Sequence, residues 1–417
     1  MHNFPPTAPP KSSPYARYVL ALLLGVNLLN YIDRQVLYAV FPLIQKDFAL
    51  SDTALGLLGS AFMVTYMVTA PLFGWLGDRW SRTRLAAAGL GVWSVATAAA
   101  GLAPTYPALF AARTTVGVGE ASFGTVSPGL LAEFFDRERR GRILSLFYLA
   151  IPVGSALGYL LGGIIGQQWG WHAAFLMVGL PGLILVLPVW LIREPLRSTD
   201  DAPEQNDTPD HGGYRALFRN RSFIANTLSM AAMTFALGGL AQWIPTFLYR
   251  EHGLGVATGN TLFGALTVVT GICGTLTGGW LGDRFQRRTP KGYLLVSGWG
   301  FLLGTPAATY AIMTPSLNHC LGAMFLAEFF LFLNTGPLNT VIVNVTRPAI
   351  RAMAFAVNIF FIHALGDAIS PTILGWLSDL WGLRVALLST PVAILAAAFF
   401  AFLCCRTIKG DMARADE

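Results

Sequence analysis

Asp33, Arg34, Arg113 and Glu120 stand inside long apolar runs of the chain. An ionised side chain at the middle of a bilayer costs about 2.5–3.5 kcal/mol on insertion scales, so the four, unpaired and lipid-facing, would cost about 10–14 kcal/mol. Such residues persist only where they pair or line a hydrated cavity. Asp33 lies about 17 residues, about 26 Å at 1.5 Å per residue, into a run that continues to about 48, so it stands near the middle of the run and of the membrane. Glu120 is similarly central in its own run, and Arg113 precedes it by two turns on nearly the same face. The chemistry open to this set is proton exchange. Burial favours a neutral carboxyl and a nearby guanidinium favours a charged one, so relative movement of the two switches proton affinity. The alternative is a static buried pair that only orients helices, with Arg113 merely holding Glu120.

The second half carries a sparser set. Glu328 has no basic neighbour in sequence, while His363 and Asp367 are four apart and share a helix face. Asn334 and Thr335, with Asn339 and Asn344, form a polar set in the same run as Glu328. These groups suit either the wall of a hydrated cavity or interhelical hydrogen bonding. Tyr31, Tyr66, Trp243 and Phe361 stand among the aromatics of the apolar runs, most of which face lipid or the interface. No nucleophile–base constellation and no Walker loop occurs, so neither enzymatic chemistry nor ATP use is expected. The histidines at 172, 211, 252 and 319 are isolated, and Cys273, Cys320, Cys404 and Cys405 lack metal-ligand spacing. No metal and no cofactor is expected.

The elements that must position these groups follow from composition. Of 417 residues, 54% are hydrophobic and 12% charged, against about 25% charged in soluble domains, which excludes a water-soluble or disordered chain. Apolar segments begin after Arg17 and run to about 48, then recur at about 53–77, 84–103, 107–134, 141–168 and 172–192. After a hydrophilic stretch come segments at about 221–249, 258–282, 292–313, 317–346, 351–378 and 384–405. Each is long enough to cross about 30 Å of hydrocarbon. The expected organisation is a disordered tail over 1–14, a six-helix bundle over 15–192, a linker over 193–220, a second bundle over 221–405 and a tail over 406–417.

Basic residues orient this layout. With both termini cytoplasmic, only Lys46, Arg250 and Arg384 of the 28 lysines and arginines fall on the opposite side, and Arg34 and Arg113 lie within segments. That asymmetry accounts for the net charge of +6 without a nucleic-acid partner. The halves also repeat. Gly74-Trp75-Leu76-Gly77-Asp78-Arg79 closes the second segment and Gly279-Trp280-Leu281-Gly282-Asp283-Arg284 the eighth, while Trp169-Gly170 and Trp381-Gly382 open the sixth and the twelfth. Two six-helix bundles in parallel orientation are implied, an all-α membrane protein with twelve transmembrane helices. Glycines recur at 154, 158 and 162 in the fifth segment and at 271, 274, 278 and 279 in the eighth. Such small-residue faces allow close approach, either across the two bundles or inside one of them.

At these residues the chain resembles the major facilitator superfamily, whose G-x-x-x-D-R-x-G-R-R signature reads here Gly74-x-x-x-Asp78-Arg79-x-Ser81-Arg82, with serine in place of the second glycine. The second copy reads Gly279-x-x-x-Asp283-Arg284-x-x-Arg287-Arg288. More narrowly, Asn30-Tyr31-Ile32-Asp33-Arg34, Val116-Gly117-Val118-Gly119-Glu120-Ala121-Ser122 and the run from Phe147 to Tyr159 look like the Spinster family, as do Arg193-Glu194-Pro195 and His363-Ala364-Leu365-Gly366-Asp367. The resemblance implies the major facilitator fold and a secondary carrier working by alternating access. Its cargo would be an amphipathic lipid such as a lysophospholipid or sphingosine phosphate, coupled to protons. Asp33 and Glu120 would then be proton sites. Arg113 would take the anionic headgroup through its planar fork or act as a charge-switch partner, and Arg34, Tyr31, Asn30, Glu328, Asn334, Thr335, His363 and Asp367 would line the substrate path. Asp78 with Arg79, and Asp283 with Arg284, would latch one conformational state. The compact length fits a bacterial inner-membrane monomer. Proton-coupled transport of drugs or small organic anions is the alternative on the same fold.

Overall fold

A computed structural model describes residues 13–194, 211–347 and 350–416. Positions 1–12 of the tail expected over 1–14, and linker positions 195–210, lie outside the described residues. Every regular element among the described residues is helical. The first half contains α1 (Pro14–Ala39), α2 (Phe41–Phe48), α3 (Asp52–Arg79), α4 (Arg82–Ala100), α5 (Tyr106–Glu133), α6 (Arg137–Tyr148) and α7 (Ala150–Trp190). The second contains α8 (His211–Arg219), α9 (Arg221–His252), α10 (Val256–Gln286), α11 (Gly292–Met313), α12 (Leu317–Phe332), α13 (Pro337–Val345) and α14 (Arg351–Ile362). A π-helical turn, His363–Asp367, leads from α14 into α15 (Ser370–Trp381), followed by α16 (Leu383–Leu387), α17 (Ser389–Cys404) and α18 (Ile408–Asp416). Thus 211–219 and 408–416, read from sequence as linker and tail, are helical.

Local chemistry explains the boundaries. Ser13 accepts from the Ala16 amide at 3.2 Å, with Pro14 in the first turn of α1, a paired start signal. Long α7 is two crossings in succession, because Gly170 has φ 84° and interrupts helical geometry. Gly382 adopts φ 85° between α15 and α16. The repeated Trp-Gly pairs therefore mark the same device twice, a turn whose left-handed backbone suits glycine. Eight stretches, counting 139–190 as one, are long and apolar enough to cross a membrane. The break at Gly170 divides that one in two, and the less apolar α4, α5 and α11 complete twelve crossings.

The chain divides into two compact units, one comprising 1–49, 61–206 and 256–261, the other 50–60, 207–255 and 262–417. The first turns of α3 and of α10 thus each belong to the unit that does not hold the rest of the helix. The first unit buries Leu23, Phe62, Leu90, Phe123 and Phe147 in one core. The second buries Phe223, Phe301, Leu331 and Ile394. Large apolar side chains such as Ile184, Leu276, Val392 and Phe399 point outward, as a bilayer solvent requires.

Glycines set the closest approach in the first unit. A Cβ added at Gly158 would stand 2.6 Å from the Ile32 carbonyl oxygen and 2.7 Å from Gln35 Cβ, and one at Gly154 would stand 2.7 Å from Tyr31 Cβ. The fifth-segment glycine face therefore packs on α1 inside its own unit. Gly274 likewise meets Phe329 and Phe332 of α12 inside the second unit.

Candidate functional site

The close fit of α7 against α1 aims Asp33 and Arg34 toward α5. Arg113 donates through Nη1 to Asp33 Oδ1 at 3.1 Å, and Thr97 of α4 donates to Asp33 Oδ2. Arg34 donates through Nε to Glu120 Oε2 at 2.7 Å. Adjacent residues of one helix thus cross-pair with residues two turns apart on another. Arg113 and Glu120 are fully buried, Asp33 nearly so, and Arg34 keeps 15% of its side chain exposed.

This arrangement settles which carboxyl Arg113 meets. Arg113 bonds to Asp33 and Glu120 to Arg34, and no ion pair joins Arg113 to Glu120 among the described residues. The reading that Arg113 holds Glu120 is therefore corrected: Arg34 occupies that position, and Arg113 reaches across to α1.

Aromatic rings wall the network. The Arg34 guanidinium carbon lies 5.0 Å from the Tyr31 ring centre, 5.1 Å from Phe62 and 4.9 Å from Tyr66. Phe62 also stands 5.5 Å from Arg113, so one ring face or edge serves both cations. Two positive and two negative groups balance, yet hydrogen bonding does not. Arg113 Nε and Nη2, Glu120 Oε1 and Asn30 Nδ2 are buried with no hydrogen-bond partner among the described residues. Protonating either carboxyl would leave a guanidinium short of its counter-charge. Chemically, this is a charge-balanced cluster with spare donor and acceptor capacity.

In the second unit, Glu328 is buried in α12 and accepts from Thr267 Oγ1 at 3.1 Å and Thr270 Oγ1 at 2.8 Å. No basic partner stands beside it among the described residues. His363 Nδ1 and Asp367 Oδ1 are 2.8 Å apart across the π-helical turn, so the four-residue spacing does form a pair. Asn334 is buried and donates to the Leu331 carbonyl, and Thr335 donates to the Phe332 carbonyl at 3.0 Å. Both serve carbonyls at the break between α12 and α13, where Pro337 cannot donate.

The loop motifs are arranged differently in the two halves. Asp78 is 75% exposed and 4.0 Å from Arg82, which pairs chiefly with Glu133. Arg79 stacks over Trp75 at 4.2 Å. The start of α4 is held by Glu194, which accepts from Ser81 Oγ at 2.6 Å, the Thr83 amide at 2.6 Å and Thr83 Oγ1 at 2.9 Å. Asp283 accepts from the Tyr293 hydroxyl at 2.7 Å, and Arg284 lies 5.7 Å from the Trp280 ring centre.

A further cluster escaped sequence reasoning. Arg250 of α9 grips Asp52 with two bonds of 2.7 and 2.6 Å, and Ser378 adds a third at 2.5 Å. Asp379 caps the start of α3, accepting from the Asp52 amide at 2.7 Å and the Thr53 amide at 2.9 Å. An acidic residue opening a helix was the available signal for Asp52; nothing in sequence joined it to residues so distant. Thr97, Phe62, Glu133 and Glu194 were also not singled out for these contacts.

An all-helical chain with twelve apolar crossings, internal repetition and a buried charge network is a polytopic membrane transporter. The Major Facilitator Superfamily model matches residues 23–371. Bovine protein spinster homolog 1 is 36% identical over 393 residues, covering 88% of this chain and 74% of the relative. Protein spinster of Drosophila melanogaster is 33% identical over 395 residues, covering 90% and 65%. Among solved structures, a bacterial homolog to the human lysosomal transporter Spinster, inward-facing and unoccupied, superposes with a TM-score of 0.89 at 25% identity, over 96% of this chain and 99% of that one. A D-xylose-proton symporter shares the fold, with a TM-score of 0.75 at 18% identity, over 93% and 97%. The chain belongs to the Spinster family of the major facilitator superfamily, a family of transporters and not of enzymes.

Proposed function

We propose that the protein is a proton-coupled carrier of an amphipathic lipid with an anionic headgroup, of the lysophospholipid or sphingosine-phosphate kind, working as a monomer in a bacterial inner membrane with both termini cytoplasmic. The observation that carries the coupling is the crossed pairing of Asp33 with Arg113 and Arg34 with Glu120. Each carboxyl has one arginine, and an arriving phosphate competes for that arginine. When a guanidinium turns to phosphate, its carboxyl loses its counter-charge and takes a proton instead. The difference in burial supports a division of roles. Arg113 is sealed and acts as the charge-switch partner of Asp33, whereas Arg34, partly exposed within its aromatic cage, offers the first contact to a headgroup. Glu328, Asn334, Thr335, His363 and Asp367 complete the substrate path in the second unit. Asp78 with Arg79, and Asp283 with Arg284, bias the conformational states.

The test is uptake of labelled lysophospholipid and sphingoid phosphate into proteoliposomes with an imposed pH gradient. Gradient-dependent lipid movement is the expected result. Movement of small organic anions with none of lipid, in folded protein, would favour the drug-type or organic-anion carrier and refute the lipid reading.

A further inference from the structure

The second unit contains a basic cavity that the transport site does not use. It measures about 220 Å³ and is lined by α8, the junction of α8 with α9, the stretch after α13, and α18. Among the described residues, Arg219, Arg347 and Arg414 contribute three guanidiniums to the lining and Asp411 is its one carboxylate. Asp411 is already committed. It is buried, accepts from the Ser222 amide at 2.9 Å at the start of α9, and pairs with Arg414. Asn220, between them, is spent as well, donating to the Val345 carbonyl at 2.7 Å and accepting from the Phe223 amide at 2.9 Å. Arg219 and Arg347 are exposed and have no ion pair or hydrogen-bonded side chain among the described residues. Among the described residues, two guanidinium charges are therefore left over in one concave site.

We propose that this cavity binds a phosphate group, supplied by an anionic lipid of the leaflet on the arginine-rich side. Planar guanidiniums match phosphate oxygens, and a cavity smaller than the roughly 300–1,000 Å³ of pockets that enclose whole ligands suits a headgroup. The lipid source follows from α8. That short helix buries Leu217 in the core while Tyr214 and Phe218 remain half exposed beside Arg215 and Arg219. Exposed aromatics alternating with arginines are the composition of a helix lying in a membrane interface. Phe218 also meets Phe361 of α14 edge-on, ring centres 6.2 Å apart, which extends an apolar strip away from the cavity for acyl chains. A free phosphate ester shares the headgroup's chemistry but would gain nothing from that strip. The cavity thus docks a bound lipid on the helices that precede α9 and follow α17.

The experiment uses the purified full chain in neutral detergent with two probes, dioleoylphosphatidylglycerol and inorganic phosphate, bound lipid being counted by native mass spectrometry. Variants are Arg219→Gln with Arg347→Gln, and Arg215→Gln as a single-charge control on α8 outside the cavity lining. With charge-assisted bonds at about 1.5–3 kcal/mol, loss of both arginines should weaken phosphatidylglycerol binding about a hundredfold or more. Arg215→Gln should change it no more than about fivefold. Inorganic phosphate binding with the same arginine dependence, and no lipid binding, would keep the phosphate pocket and assign it to a soluble ester. Binding of neither probe, or equal losses in the double variant and in Arg215→Gln, would overturn the proposal. Both altered arginines are exposed, so unchanged thermal stability without lipid is expected and separates loss of binding from loss of fold.

Discussion

Arg113→Gln tests the crossed pairing most sharply. Arg113 is wholly buried and Asp33 almost so, with 3.1 Å between them, and Thr97 supplies the other hydrogen bond to that carboxylate. Removing one partner of a buried pair strands the other and costs about 3–5 kcal/mol, or two to three and a half orders of magnitude in the unfolding equilibrium. The penalty belongs to a specific carboxyl, so neutralising that carboxyl must relieve it. In the Arg113→Gln background, Asp33→Asn should restore about 1–3 kcal/mol, the range of coupling for residues in contact. Glu120→Gln in the same background should restore nothing, and should add its own loss by stranding Arg34. Reversible unfolding in mixed micelles, followed by tryptophan fluorescence, measures all the corners of both cycles. Rescue by Glu120→Gln with none by Asp33→Asn would refute the pairing and reinstate the same-helix partnership.

Three other outcomes are expected. Thr97→Val removes the hydroxyl donor to Asp33 and should cost about 1.5–3 kcal/mol while Asp33 is ionised; equal stability of variant and wild type across pH would show that the bond contributes nothing. Gly158→Leu drives a side chain into the Ile32 carbonyl and Gln35, and should cost about 1–3 kcal/mol or more with loss of transport, whereas wild-type melting and activity would contradict the α1–α7 contact. Arg250→Gln leaves Asp52 without its two-pronged partner, and the first turns of α3 should become more reactive to a thiol reagent at an introduced Thr53→Cys; unchanged labelling rates would show that the grip is not what holds this segment.

The helices and the family were legible because they rest on local or repeated signals. Apolar runs, basic loops and the doubled Gly-Trp-Leu-Gly-Asp-Arg and Trp-Gly motifs need no knowledge of tertiary register. Even the turn at Gly170 and its counterpart at Gly382 could be marked, since both depend on one residue's backbone freedom. The pairings were not legible. Asp33 and Arg113 are 80 residues apart and Arg34 and Glu120 are 86 apart, and helical periodicity says which face a residue occupies but not its height against a neighbouring helix. Arg113 therefore looked like a partner for Glu120, the nearest carboxyl in sequence. The same blindness hid Asp52, Arg250 and Asp379, which stand on three separate helices. Short α8 and α18 were missed for another reason: each is too short and too polar to show an apolar period, and tertiary contacts through Leu217 and Asp411 hold them in place.

The central claim is that lipid and proton meet at the crossed ion pairs. It is tested most directly by loading proteoliposomes with a pH-sensitive dye, adding lysophospholipid without an imposed gradient, and following lumenal pH for wild type, Glu120→Gln and Asp33→Asn. Coupling predicts a lipid-driven pH change in wild type and its loss in both variants, each still folded and still binding lipid. Lipid movement in wild type with no pH change, or an undiminished pH change in both variants, would contradict the account.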